Sequence, residues 1–317
     1  MYKKTTYKQF NFYRMKNLRL LLRLSESFTY ADLPTKDSET GDETIAGFIP
    51  RLHSAMKRAI IAALVIYFIQ SIIRTLTTRG LMYNGWYYLD LSASPTFELI
   101  QITQVITTFH LLGMFFGPIY LFALLACIGC TQFEKISGFL SEIEKEYMTM
   151  DVWARSENQK QLNNCIRLHQ DTTKYLSLLE KNVNTMVCGV FLCLLTGLCS
   201  TAFSLVMSWG DYTDMSQAVL TYCLYLGLLF CYCRIGTITS EKYESVRDAA
   251  WASDWVGAPL PYQRCILFII AKSNQEFYFT AGKFVSVSHD TMMSMINQSF
   301  SFFMFLLTMK DKSDGKA

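Results

Sequence analysis

The 317-residue chain carries 29 Lys+Arg and 26 Asp+Glu, so only 17% of it is charged, against about 25% in a soluble domain. The deficit is concentrated in five stretches with no Asp, Glu, Lys or Arg: Ala59–Ile73, Leu99–Phe133, Asn182–Gly210, Met215–Cys233 and Thr291–Met309. A bilayer core takes roughly 17–25 apolar residues per helix, which argues against a soluble enzyme, a disulfide-stapled secreted domain and a disordered regulator, and predicts an all-α polytopic membrane protein with about five spans.

Residues 1–56 read as a cytoplasmic N-terminal arm. Met1–Phe12 is polar and basic, without the apolar core of a signal peptide, so the first span is expected to act as its own insertion signal. Asn17–Leu24 has the pattern of a short amphipathic helix, and Asp32–Glu43 that of an acidic linker. The transmembrane region is expected over residues 57–310, opening with a span from about Arg58 to Thr78. An aromatic external loop follows, Tyr83-Asn84-Gly85-Trp86-Tyr87-Tyr88. Rings with a polar tip suit the headgroup depth; a lid over a binding site is the second reading. The next span starts near Thr96 and stays charge-free to Phe133, longer than a membrane is thick, so the excess is expected to run on as a cytoplasmic helix with Ile136, Phe139, Leu140 and Ile143 on one stripe. Leu162, Ile166, His169, Thr173, Leu176 and Val183 repeat at helical spacing. The cytoplasmic extension 128–183 therefore predicts an antiparallel helical bundle. A third span over Asn184–Trp209 and a fourth over Ser216–Thr237 come next. A second extension, 234–275, contains an apolar helix at Pro261–Ala271 that is too short to span. The last span is expected at Ser286–Met309, with a short external tail at 311–317.

Charge position sets the orientation. Residues 1–58 hold 11 Lys+Arg, the loop 80–98 none, 134–181 seven, 209–214 none and 234–272 five. Such alternation is the positive-inside signal, and it predicts a cytoplasmic N-terminus and an external C-terminus. No basic stripe suggests nucleic acid. The four histidines are scattered without ligand spacing, and no nucleophile, phosphate-binding or metalloprotease motif occurs, so neither an enzyme nor a cofactor is expected. Cys127 and Cys130 have a CxxC spacing without a second pair, which reads as packing. Polar residues within the spans (Gln70, Ser71, Gln101, Gln104, Thr107, Thr108, Tyr222, Tyr225, Asn297 and Gln298) are costly to expose to lipid. They are expected to face a cavity or a neighbouring helix. Tyr222 and Tyr225, three apart, share a face of the fourth span.

The C-terminal third carries an ordered set of short motifs: Ser245-Val246-Arg247-Asp248-Ala249-Ala250-Trp251, then Asp254-Trp255, Pro261, Arg264, Ile269-Ile270 and Ser273-Asn274. Thr280-Ala281-Gly282-Lys283-Phe284, Val287-Ser288 and Ser299-Phe300-Ser301-Phe302-Phe303-Met304 follow. With Ser94-Pro95, Gln132-Phe133, Cys165 and His169 upstream, this set resembles the insect odorant receptor family over about residues 60–310. The resemblance implies a seven-span, N-inside, C-outside receptor that is itself a ligand-gated, non-selective cation channel and assembles as a heterotetramer with an odorant co-receptor. The five spans here correspond to the family's third to seventh, so the first two are expected to be missing. By position, the resemblance places the odorant pocket at Tyr67, Ser71, Arg74, Val105, Phe109, Tyr222 and Tyr225, with a small volatile molecule as ligand. It places the pore at Phe305 and Thr308, and the subunit anchor at Asp248, Trp251, Trp255, Lys283 and Phe284. A non-conducting remnant of such a receptor, and an unrelated membrane transporter or scaffold, are the alternative readings.

Overall fold

The structure is a computed structural model that describes residues 17–28, 43–78, 80–81, 83, 88, 94–146, 152–208, 210–253 and 255–314. Most of the acidic linker, Trp86 and Tyr87 of the aromatic loop, Asp254 and the end of the tail lie outside them. A short helix, α1, covers 17–27. It is followed by α2 (Ile45–Thr78), α3 (Thr96–Glu146), α4 (Val152–Met207), α5 (Tyr212–Ala252), α6 (Leu260–Ser273), a small hairpin of β1 (Thr280–Ala281) and β2 (Val285–Ser286), and α7 (His289–Asp314). Among the described residues, five helices are long and apolar enough to cross a membrane: they lie at Ile45–Leu76, Thr96–Ser141, Gln159–Met207, Tyr212–Ala252 and His289–Met309. The all-α polytopic class read from the charge gaps is the class of the fold.

The helices divide between two compact units, and α3, α4 and α5 each contribute to both. The first unit gathers Phe122–Gly189 and Tyr232–Thr291 with the described residues up to Ile49. Its core is aromatic and aliphatic: Phe133, Leu140, Leu162, Tyr175, Leu176, Val246, Ile266, Ile269 and Phe279 are almost fully enclosed. On α4 the buried stripe passes through Leu162, Cys165, His169, Thr172, Leu176 and Leu179. The expected stripe drifted onto Ile166, Thr173 and Val183, each only half-buried. At 3.6 residues per turn, Ile166 and Thr173 lie on one flank of the buried face rather than along its middle. Tyr175 donates to the Leu125 carbonyl at 2.9 Å and meets Phe28 edge-on, with ring centroids 5.6 Å apart, which ties the chain just after α1 into this core. Glu134, at the end of the charge-free run, accepts from the Ile45 amide at 2.9 Å and pairs with Lys242 at 2.7 Å. His169 lies 3.0 Å from the Ser273 hydroxyl and beside the Phe133 and Tyr243 rings.

The hairpin corrects the expected last span. Val285 and Ser286 pair with Ala281 and Thr280, so α7 begins at His289 rather than Ser286. The turn between the strands has positive φ at both Gly282 (62°) and Lys283 (65°), and the Phe284 amide donates to the Ala281 carbonyl at 3.2 Å. This is the twist that suits a two-stranded antiparallel ribbon. Gly282 is required twice over, because a Cβ there would also sit 2.8 Å from Cys188 Sγ.

The second unit gathers Pro50–Leu121, Val190–Cys231 and α7 from Met292. Asp211 starts α5 as its cap: its carboxylate accepts from the Thr213 hydroxyl at 2.8 Å and the Thr213 amide at 3.1 Å. These two hydrogen bonds hold its carboxyl below the usual carboxylate range.

Candidate ligand-binding site

Within the second unit, polar side chains that a charge-free span must hide come together between α2, α3 and α5. Tyr67 is 5% exposed, and its hydroxyl lies 3.0 Å from Thr221 Oγ1. One turn on, Ser71 Oγ accepts from Gln101 Nε2 at 2.6 Å. Another turn on, Arg74 donates to Gln217 Oε1 at 3.2 Å and forms an ion pair with Asp214. A cavity of about 70 Å³ runs along this line, walled by Tyr67, Ser71 and Arg74 on one side and Thr213, Ser216 and Gln217 on the other. Gln70 also borders it, and its Oε1 is buried with no hydrogen-bond partner.

Tyr83, between α2 and α3, is pinned to the same unit. Gln104 accepts from the Tyr83 amide at 3.1 Å and donates to the Tyr83 carbonyl at 3.0 Å, while the Tyr83 hydroxyl lies 3.2 Å from Thr108 Oγ1. Burial pushes the Tyr83 phenol above its ordinary range, which keeps it a neutral hydrogen-bonding group. Of the in-span polar residues, Gln70 and Ser71 border the cavity and Gln101 bonds across to α2, whereas Thr107, Asn297 and Gln298 are exposed, against the expectation, and Thr107 and Gln298 bond within their own helices.

The structure brings together only part of the expected pocket. Tyr67, Ser71 and Arg74 share the small cavity. Phe109 borders a second, apolar cavity of about 310 Å³. Tyr225 packs edge-on against Phe115, with centroids 5.9 Å apart, and lies over Gly197, where an added Cβ would be 2.7 Å from its ring. Tyr222, Tyr225 and Val105 are half-buried and border neither cavity. Thr213 and Ser216 were not singled out from the sequence, nor were the hydrogen-bonding partners Asp214, Gln217 and Thr221. Two signals pointed to these partners. Arg74 ends a charge-free run, and a cation at that depth calls for a partner. Asp214, Gln217, Thr221 and Tyr225 also step by three and four along one face of α5.

Of the remaining expected residues, Trp251 is 56% exposed and stacks edge-on against Trp255 at 5.8 Å, while Asp248 bonds its neighbour Arg247 at 3.0 Å. Lys283 occupies the hairpin turn, and Phe284 beside it is 89% exposed. On α7, Phe305 is 56% exposed, and Thr308 donates to the Met304 carbonyl of its own helix at 2.9 Å.

Long spans that continue into a second helical unit, with a buried polar line between three of them, define a multi-pass helical membrane protein. Residues 10–300 match the family described as 7tm odorant receptor, and the chain belongs to the insect odorant receptor family. It is similar to odorant receptor 85c of Drosophila melanogaster, at 26% identity over 188 residues, covering 59% of this chain and 47% of that protein. It is also similar to odorant receptor 2a of the same species, at 21% identity over 241 residues, covering 73% of this chain and 60% of that protein. The chain therefore spans about half to three fifths of the length of these relatives. The solved structure of the insect olfactory receptor OR5 from Machilis hrabei in complex with eugenol shares the fold, with a TM-score of 0.68 at 15% identity, over 92% of this chain and 74% of that one.

Proposed function

We propose that this chain is an odorant receptor subunit that binds small volatile molecules and opens a non-selective cation channel in a heterotetramer with an odorant co-receptor. The observation that carries the reading is the enclosed polar line Tyr67–Ser71–Arg74 against Thr221, Gln101 and Asp214, in a chain of the odorant receptor family whose structural relative was solved with eugenol. The small cavity is bordered largely by hydrogen-bonding side chains, and the Tyr222 and Tyr225 rings, outside it on α5, would supply contact area with few rotamers to freeze. A volatile of about ten heavy atoms at about 0.3–1.5 kcal/mol per atom reaches micromolar affinity on such contacts. The cavity must widen around it, with the Tyr225 side chain giving way, since about 70 Å³ is too small for such a ligand. In this reading Tyr225→Ala and Tyr222→Ala raise the half-maximal ligand concentration about tenfold, equivalent to about 1.4 kcal/mol, with surface expression intact. Loss of expression together with equal loss of every response would assign the pair to folding instead.

The alternation of basic loops supports a cytoplasmic N-terminus and an external C-terminus. Phe305, with Thr308 near one turn on, forms the pore constriction contributed by this subunit; a ring of apolar side chains gates by excluding water, and the exposure of Phe305 in the single chain is consistent with a position facing other subunits. Asp248, Trp251, Trp255, Lys283 and Phe284 form the anchor against neighbouring subunits. Because Trp251 is already half-exposed in the chain, Trp251→Ala should change the chain's own stability by less than about 1 kcal/mol. Paired with Trp255→Ala, it should sharply reduce co-purification with the co-receptor subunit. Unchanged recovery would remove the anchor from these residues.

A further inference from the structure

The larger cavity of the second unit shares only Phe109 with the expected odorant pocket. It measures about 310 Å³ and follows α2 from His53 to Leu64 and α3 from Phe109 to Tyr120. The two stretches run in opposite directions, since the His53 ring hydrogen-bonds the Tyr120 hydroxyl at one end. Each stretch is about 16 Å long at 1.5 Å per residue, close to half of a roughly 30 Å hydrocarbon core. Gly113 and Gly117 leave the groove open: a Cβ built on either would meet nothing within 4 Å. The middle is bordered by apolar side chains, among them Ile60, Leu64, Leu112 and Phe116.

One end is different. Lys57 and His53, one turn apart, border the groove there with Tyr120. Arg51 and Arg58 add to the field on the same turns, and α2 contains no Asp or Glu at all. The α3 wall is charge-free. The result is an apolar slot one leaflet long with a cationic, hydrogen-bonding mouth. A neutral volatile has nothing to place at the basic end.

We propose that this groove binds one acyl chain of an anionic phospholipid, with the headgroup phosphate and any further acidic group held by Lys57, His53 and the Tyr120 hydroxyl. Basic pockets between membrane helices recognise acidic headgroups in this way, and the glycines make room for the chain as small residues do wherever a helix surface is approached closely.

The test is native mass spectrometry of the full chain released from nanodiscs containing equal parts phosphatidylserine and phosphatidylcholine. The wild-type chain should retain phosphatidylserine about tenfold over phosphatidylcholine, a difference equivalent to about 1.4 kcal/mol. Lys57→Gln should bring the two lipids to parity while leaving a lipid bound. Gly117→Leu, which fills the groove, should abolish retention of both. Should Gly117→Leu fail to fold, the Lys57→Gln comparison decides alone. Equal retention of the two lipids by the wild type, or enrichment unchanged in Lys57→Gln, would overturn the assignment. A doubled mass that Gly117→Leu returns to one chain would overturn it in favour of a second copy as occupant.

Discussion

Arg74→Ala should destabilise the second unit by about 2–3 kcal/mol, because it leaves Asp214 without its cation among apolar helices. The value sits below that of a fully enclosed pair, since a quarter of the Asp214 side chain is still reached by solvent. The partner change Asp214→Ala should cost a similar amount by taking the carboxylate from the guanidinium, which keeps its 3.2 Å bond to Gln217. Arg74→Met combined with Asp214→Leu should recover most of the loss, as apolar replacement of a buried ion pair commonly does. Thermal unfolding of the four proteins in the same nanodiscs measures the coupling. Additive losses, with no recovery in the double variant, would mean that the two charges act independently. The ligand response separates stability from binding: in the proposed pocket the rescued double variant folds but loses ligands that hydrogen-bond to the guanidinium.

Gly236→Ala should be still more damaging, at about 3 kcal/mol or more. A Cβ at Gly236 of α5 would lie 2.1 Å from the Val287 carbonyl oxygen and 2.9 Å from its side chain. The first of these is backbone just beyond the hairpin, held by the Val287 amide donating to the Phe279 carbonyl at 2.8 Å, so it cannot turn aside as a side chain would. Gly138→Ala is the control. Its Cβ meets nothing within 4 Å, and the change should stabilise the helix by about 0.5–1 kcal/mol. Thermal unfolding of both variants checks the contrast, and equal behaviour would contradict the close approach of α5 to the hairpin.

Charge spacing made most of this fold legible. Five charge-free runs correspond to five helices able to span, and the overlong run Leu99–Phe133 did continue into α3 as far as Glu146. The short helix near Asn17 and the apolar helix at Leu260–Ser273 were visible from periodicity. The hairpin was not, because strands of two residues are too short to show alternation; only the turn residues Gly282-Lys283 carry its signal. The start of α2 at Ile45 was also hidden, since Pro50, Arg51, Lys57 and Arg58 interrupt the apolar pattern and read as part of an arm. The site was half legible. Ser71 stood out as a polar group at depth and Arg74 came only with the family resemblance, but the hydrogen bonds of Tyr67, Ser71 and Arg74 to partners on α3 and α5 depend on helix packing that no local spacing encodes. Tyr222 and Tyr225 illustrate the reverse: they share a helix face, yet Tyr225 lies over Gly197 and Phe115, and neither ring borders the cavity beside Tyr67.

The most direct test of the receptor reading is a voltage-clamp recording from cells that express this chain with an odorant co-receptor subunit, while a panel of small volatile molecules is applied. The account predicts a cation current evoked by a subset of the panel, at ligand concentrations that Tyr225→Ala raises about tenfold, and absent when this chain is left out. A panel-wide absence of evoked current from a chain that reaches the cell surface with the co-receptor, or a current the same with and without this chain, would contradict it.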